Sequence, residues 1–222
     1  NIKAIYYADM KKKVKDLSQL KTNIFGIYKS NNELDGFIIS IIEHMGLEFK
    51  YLNNLNFSDL DSDLEKYGCD FLIKNTGYTD KFELYTKNNV IKDTDDYLMM
   101  LYLYFMEAEK PEIIYITPLM PDGIIEMAQK KSIKHSVCKS DDLFSLMGQE
   151  FSRIYHDAIY FQIKLIESLS NKEQNINMFL SQIPKQHLKE KHVNCEWKDV
   201  GRVINEVNNK NYDHEAVEGI KI

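Results

Sequence analysis

Glycine is scarce, nine residues in a chain of 222, and the nine are scattered, so no glycine-rich loop is present to cradle a phosphate. A G-x-S-x-G nucleophile elbow is absent as well, and "PDGIIEM" reads as a helix start rather than a phosphate loop. Cysteine is scarcer still. Cys69, Cys138 and Cys195 lie far apart without C-x-x-C spacing, which indicates neither a zinc site nor a disulfide framework and fits a reducing, cytoplasmic setting. No apolar run approaches the roughly 18 residues that cross a bilayer, and nothing resembles a signal peptide, so the expectation is a soluble chain. Long basic runs are missing too. The formal net charge is -6, and basic residues are interspersed with acidic ones, which disfavours a nucleic-acid partner. The one basic cluster, "KKKVK" at 11–15, reads as a solvated face or linker.

What is present is an alternation of strand-like and helix-like stretches. "TNIFGIYKS" (22–30) predicts a strand. "ELDGFIISIIEHMG" predicts a helix with Leu34, Phe37, Ile38, Ile41, Ile42 and Met45 on one face and Gly46 as its stop. "LEFKYLN" (47–53) predicts a second strand, and "SDLDSDLEKYG" a helix with Ser58 as N-cap and Gly68 as stop. "CDFLIK" and "KFELYT" (81–86) predict two strands paired across a turn. From Thr94 the pattern restarts, with "TDD" leading into "YLMMLYLYFMEA", apolar on nearly every side and therefore a core helix. Then come a strand at 112–120, the helix "DGIIEMAQKKS", the strand "IKHSVC" (133–138), helices at 156–170 and 173–183, and a last strand and helix in "HVNCEW" and "KDVGRVINEVNNK". Between "IKHSVC" and Asp157, "KSDDLFSLMGQEFSRIYH" reads as mostly helical, and Asp157 beside His156 reads as a helix cap. His187 and His192 step badly along one helical face and find no fourth ligand beside Cys195, so they read as ordinary histidines. The chain begins at Asn1 and ends on "AVEGIKI", and is expected to be a piece of a longer protein.

Several of these pieces, in this order, resemble the α-D-phosphohexomutase superfamily, the phosphomannomutases and phosphoglucomutases. "CDFLIKNTGYTDKFELYTKNN" is similar to the family's strand, metal loop "DGDADR" and returning strand. "HDAIYFQIKLIESLS" is similar to a helix opening on an aspartate-alanine pair, "VNCEWKDVGRVINEV" to the pattern "VPCPWEKKGRVMRRL", and "EGIKI" to a strand "DGVKI". The likeness is strongest to the mutase-like part that follows a nucleotidyltransferase in mannose-1-phosphate guanylyltransferase-type proteins. It implies an α/β fold of two consecutive phosphohexomutase-like domains, each a mostly parallel sheet flanked by helices. Residues 1–92 correspond to the family's second domain and 93–185 to its third. Residues 186–222 correspond to a connecting strand and helix leading towards a fourth.

The resemblance also says where the chemistry of such mutases, phosphoryl transfer through a phosphoserine beside a divalent metal, would have to lie. The phosphoserine loop belongs to a first domain that this chain does not contain, and the fourth phosphate clamp lies past Ile222. The metal loop becomes Thr76, Gly77, Tyr78, Thr79, Asp80 and Lys81, so of three carboxylates Asp80 alone remains, a vestigial metal ligand, and Lys81 stands for an arginine that grips phosphate. The sugar-binding loop is echoed by Gly148, Gln149 and Glu150, with Glu150 the candidate substrate residue, while Cys138 and Ser140 replace a glycine and a basic residue. The expected function is a degenerate, noncatalytic module with a scaffold or regulatory role beside a nucleotidyltransferase in sugar-phosphate metabolism. The segment alone is expected to be inactive and to bind no cofactor, magnesium being the metal of active relatives. The parent protein would be a hexose-phosphate mutase or a sugar-1-phosphate nucleotidyltransferase. Alternatives are an active phosphomannomutase or phosphoglucomutase in the intact protein, or a module that senses a sugar phosphate. Expected partners are a sugar phosphate or nucleotide sugar, the remaining domains of the parent protein and a second copy of the chain, with no nucleic acid and no membrane.

Overall fold

The computed structural model describes residues 2–14, 24–28, 33–53, 55, 57, 59–76, 81–171 and 174–185, with short helical pieces at 198–199, 201–202 and 205–206. The strands β1 (Phe25–Tyr28), β2 (Phe49–Leu52) and β3 (Phe71–Asn75) lie parallel, and β4 (Phe82–Thr86) and β5 (Val90–Ile91) continue the sheet antiparallel, in the order β2-β1-β3-β4-β5. Aromatic residues set the register: Phe25 stands opposite both Phe49 and Phe71, with its ring 6.2 and 5.6 Å from theirs. A one-residue slip would turn these rings to the other face. Along β4 the alternation is strict, Phe82, Leu84 and Thr86 buried and Glu83 and Tyr85 half-buried.

One face of this sheet packs on α1 (Ile2–Lys13) and α2 (Glu33–His44). In α2, Ile38, Ile41 and Ile42 are buried, as the helical spacing of the apolar residues requires. The opposite face carries α3 (Leu60–Tyr67), whose Leu60 and Leu64 close a smaller core over Leu52, Cys69 and Leu72. Gly68 ends α3 at φ 58, a left-handed conformation in which its N–H and that of Cys69 bond back to Glu65 and Leu64. Asp59 occupies the N-cap position without a side-chain cap bond, and Ser58 lies outside the described residues.

The second half is built around α4 (Thr94–Glu109), in which every residue from Met99 to Met106 is buried. Helices α5 (Gly123–Lys130), α6 (Ser140–His156) and α7 (Ala158–Asn171) pack against it, and so does the first sheet, which is why no side of α4 is polar. Tyr102 nevertheless brings a hydroxyl into this core, and it donates to the carbonyl of Tyr115 at 2.7 Å. β6 (Ile113–Ile116) and β7 (Lys134–Val137) form a parallel pair joined by α5. Among the described residues, three of the five strand pairings are thus parallel, with helices flanking the sheets. The buried side chains of both halves merge into one continuous core.

Some elements differ from the sequence reading. The expected strand 112–120 ends at Ile116, where Pro118 removes a ladder donor and the chain turns so that Met120 bonds back to Thr117. The expected helix 173–183 shortens to α8 (Ile176–Leu180), capped by the Asn175 side chain accepting from the Asn177 N–H at 2.7 Å. "KKKVK" begins as the exposed last turn of α1 and ends outside the described residues. So do "HVNCEW", His187, His192 and Cys195. Among the described residues, neither Cys69 nor Cys138 is in a disulfide. No described helix is long and apolar enough to cross a membrane.

Candidate functional site

The turn between β3 and β4 stands where the resemblance puts a metal loop. Asp80, with Gly77, Tyr78 and Thr79, lies outside the described residues, but both shoulders of the turn are defined. The ladder closes at Asn75 opposite Phe82, and one residue further the Thr76 hydroxyl donates to the Lys81 carbonyl at 3.0 Å. The Lys81 ammonium reaches the Thr94 hydroxyl at the start of α4, 3.5 Å away. Among the described residues, no group of three or more His, Cys, Asp or Glu side chains is placed to hold a metal ion.

Directly behind this turn, Asn75 points into the core and accepts a hydrogen bond from the Gln162 amide of α7 at 2.8 Å. The remaining donor of Asn75 and the remaining acceptor of Gln162 are buried and have no partner among the described residues. The visible sequence signal was a polar residue at the apolar end of "FLIKN"; nothing marked Gln162 as its partner, 87 residues away.

The second candidate region is α6. Gly148 breaks this helix with φ 85 and ψ 177, a backbone region open to glycine and strained for any other residue. With Gln149, Ser152, Arg153 and Phe144 it lines an open surface groove of about 600 Å3. Glu150, one residue past the break, turns away from the groove's lining and accepts the Tyr160 hydroxyl at 2.8 Å. Burial first, and then this bond to Glu150, push the Tyr160 phenol well above its ordinary range, so it stays a proton donor. The guanidinium of Arg153 lies 3.8 Å from the Tyr160 ring centre and pairs with Asp9 of α1 at 2.6 Å. Asp157 caps α7 by accepting the Tyr160 N–H at 2.9 Å, and each of its carboxylate oxygens lies 2.8 Å from the Tyr6 hydroxyl. Burial, then the charge and hydrogen bond of Asp157, hold Tyr6 protonated. Glu150 and Asp157 are therefore engaged in joining α1, α6 and α7. Cys138, half-buried, bonds through its N–H to Ile116, and Ser140 opens α6. Neither Thr76 nor Lys81 lines the groove beside α6.

No protein-family model matches the chain, and no curated protein matches it in sequence. Solved structures do match in shape. A protein assigned as a phosphomannomutase from Thermus thermophilus superposes with a TM-score of 0.60 over 82% of this chain and 50% of its own, at 13% identity. A phosphoglucomutase/phosphomannomutase family protein from Burkholderia thailandensis superposes with a TM-score of 0.59 over 83% of this chain and 47% of its own, at 14% identity. The chain spans about half the length of the structures it matches. Its parallel sheet, antiparallel extension and covering helices are the phosphohexomutase-like fold.

Proposed function

We propose that this chain is a noncatalytic, phosphohexomutase-like module of a sugar-phosphate metabolism protein, acting as a scaffold or regulator beside a nucleotidyltransferase. The observation that carries this reading is the Thr76 hydroxyl. At the first position of the metal loop of active relatives, the chain has a group whose proton is given to the Lys81 carbonyl, closing a hairpin. Magnesium selects hard, anionic oxygens, and the stretch 76–81 offers one carboxylate, Asp80, with hydroxyls and a phenol. That donor set does not fit the ion. Lys81 carries charge without the planar fork that grips a phosphate, and its contact with Thr94 uses part of its reach for holding the turn to α4.

Calorimetric titration of the full chain with magnesium, with and without mannose 1-phosphate, tests this. The expected result is no heat from the metal. Micromolar magnesium binding that vanishes in Asp80→Ala would refute the reading and call for a mutase assay on the intact protein. Heat from the sugar phosphate alone, without a metal requirement, would identify the regulatory role as sugar-phosphate sensing.

A further inference from the structure

A second depression, of about 520 Å3, lies on the flank of the five-stranded sheet, between the start of α3 and the β4–β5 hairpin. It shares no lining residue with the groove beside α6. Its volume falls within the range of about 300–1,000 Å3 typical of small-molecule sites.

Its apolar wall is Phe57 and Tyr85, with ring centres 5.2 Å apart. Phe57 is held from a second side by Tyr28, also at 5.2 Å, and has the Lys74 ammonium 5.5 Å from its ring centre. Despite three neighbours it is 40% exposed, so a fixed ring is offered to solvent. Tyr85 is fixed too, its hydroxyl donating to Glu83 at 2.5 Å.

The polar lining carries Asp59, Asp61, Asn88 and Asn89, with Lys87 and Lys92. The Thr86 hydroxyl anchors the turn that carries the two amides, accepting the backbone N–H groups of Asn88 and Asn89 at 3.2 and 3.0 Å. The two carboxamides therefore line the groove from an anchored turn, and Asp59 and Asp61 line it from the start of α3. Lys87 on the same rim is matched by Glu65 at 2.7 Å.

We infer that this groove binds an uncharged sugar ring. An immobilised aromatic surface suits the C–H face of a pyranose, which is apolar, while carboxylates accept and carboxamides both accept and donate to its hydroxyls. A phosphate is disfavoured, because it would meet Asp59 and Asp61, while of the two lysines that line the groove Lys87 is paired with Glu65 and the charge of Lys92 acts on Glu83. The inference is independent of the metal-loop reading: the groove contains no residue of the turn at 76–81.

The test is NMR titration of the isotopically labelled full chain, without magnesium, with methyl α-D-mannopyranoside and with maltotriose, and with mannose 1-phosphate and inorganic phosphate as anionic controls. The expected result is a saturable shift of the Tyr85–Val90 amides with at least one neutral sugar at millimolar concentration. Binding should weaken about tenfold or more in Phe57→Ala, and also in Asn88→Ala/Asn89→Ala, which leaves the Thr86 anchor in place. Phe57→Tyr, which keeps the ring, should bind normally. Absence of a saturable shift with both neutral sugars, or equal binding by the Phe57→Ala and parent chains, overturns the inference. So does tighter binding of inorganic phosphate than of either sugar. None of these outcomes depends on whether magnesium binds at Asp80.

Discussion

Asn75 and Gln162 are 4% and 1% exposed, are joined by one hydrogen bond and leave two buried polar atoms without partners among the described residues. Replacing both, N75L/Q162M, removes the bond and the two orphaned atoms together. A net intramolecular hydrogen bond is worth about 1 kcal/mol, and each buried unpaired group costs about 1–3 kcal/mol. Leu copies the branched shape of Asn and Met the length of Gln, so repacking should cost less than about 1.5 kcal/mol. The double variant should therefore be more stable than the parent by about 1–2 kcal/mol. For a chain of this size that raises Tm by about 2–8 °C. Either single variant should behave otherwise. Q162M leaves both ends of the Asn75 amide unpaired, and N75L does the same to Gln162, so each loses the bond and keeps two orphans, a loss of about 1 kcal/mol. Urea denaturation of all four proteins completes a double-mutant cycle with an expected coupling of about 3–4 kcal/mol. A double variant less stable than both singles would refute the reasoning, and would mean that the outer atoms of this pair are satisfied in solution, by buried water or by the turn itself.

Two further outcomes follow from the same geometry. Burial acts to raise the pKa of Glu83, but hydrogen bonds from Lys74 and Tyr85 and the charges of Lys74 and Lys92 outweigh it, so the carboxylate titrates below its ordinary range. A folded pKa below the unfolded one contributes stability above the ordinary glutamate range, about pH 4.3, that is lost as pH falls through the lower folded value. Glu83→Gln should thus lower the urea midpoint at neutral pH, with the gap closing on acidification; a gap of constant size would refute the ion-pair account. Gly148→Ala should lose about 1–3 kcal/mol from backbone strain, since a methyl group there meets no neighbour within 4 Å, and an unchanged melting temperature would show that α6 tolerates a different path.

Much of the fold was legible because the apolar spacing is unambiguous where a single face is buried. Phe37, Ile38, Ile41 and Ile42 wrote α2 into the sequence, and the alternation from Phe82 to Thr86 wrote β4. Helix α1 was hidden because little of it is deeply buried: Met10 fits the core fully, whereas Tyr6 and Tyr7 are half-buried and held by hydroxyl bonds to Asp157 and Ser40. Such bonds depend on partners far along the chain, which no local pattern announces. The candidate site divides in the same way. That positions 76 and 78 carry Thr and Tyr rather than carboxylates is readable letter by letter, but the destination of the Glu150 carboxylate, the phenol of Tyr160, required the packing of α6 on α7. The flank groove was invisible because Phe57 and Tyr85 belong to separate elements that only the sheet brings within 5.2 Å.

The link between Tyr6 and Asp157 spans 151 positions of sequence. During synthesis, α1 must wait for this acceptor until α6 and the head of α7 have left the ribosome, a delay of roughly eight to thirty seconds at ordinary elongation rates. Over that interval α1 is covered by α2, through Tyr7 with Ser40 and Tyr6 with Phe37, and by the first sheet, but not yet by α6 and α7. The contact that ties α1 to α7 is therefore among the last that this stretch of chain can make, and folding of the first sheet must proceed without it.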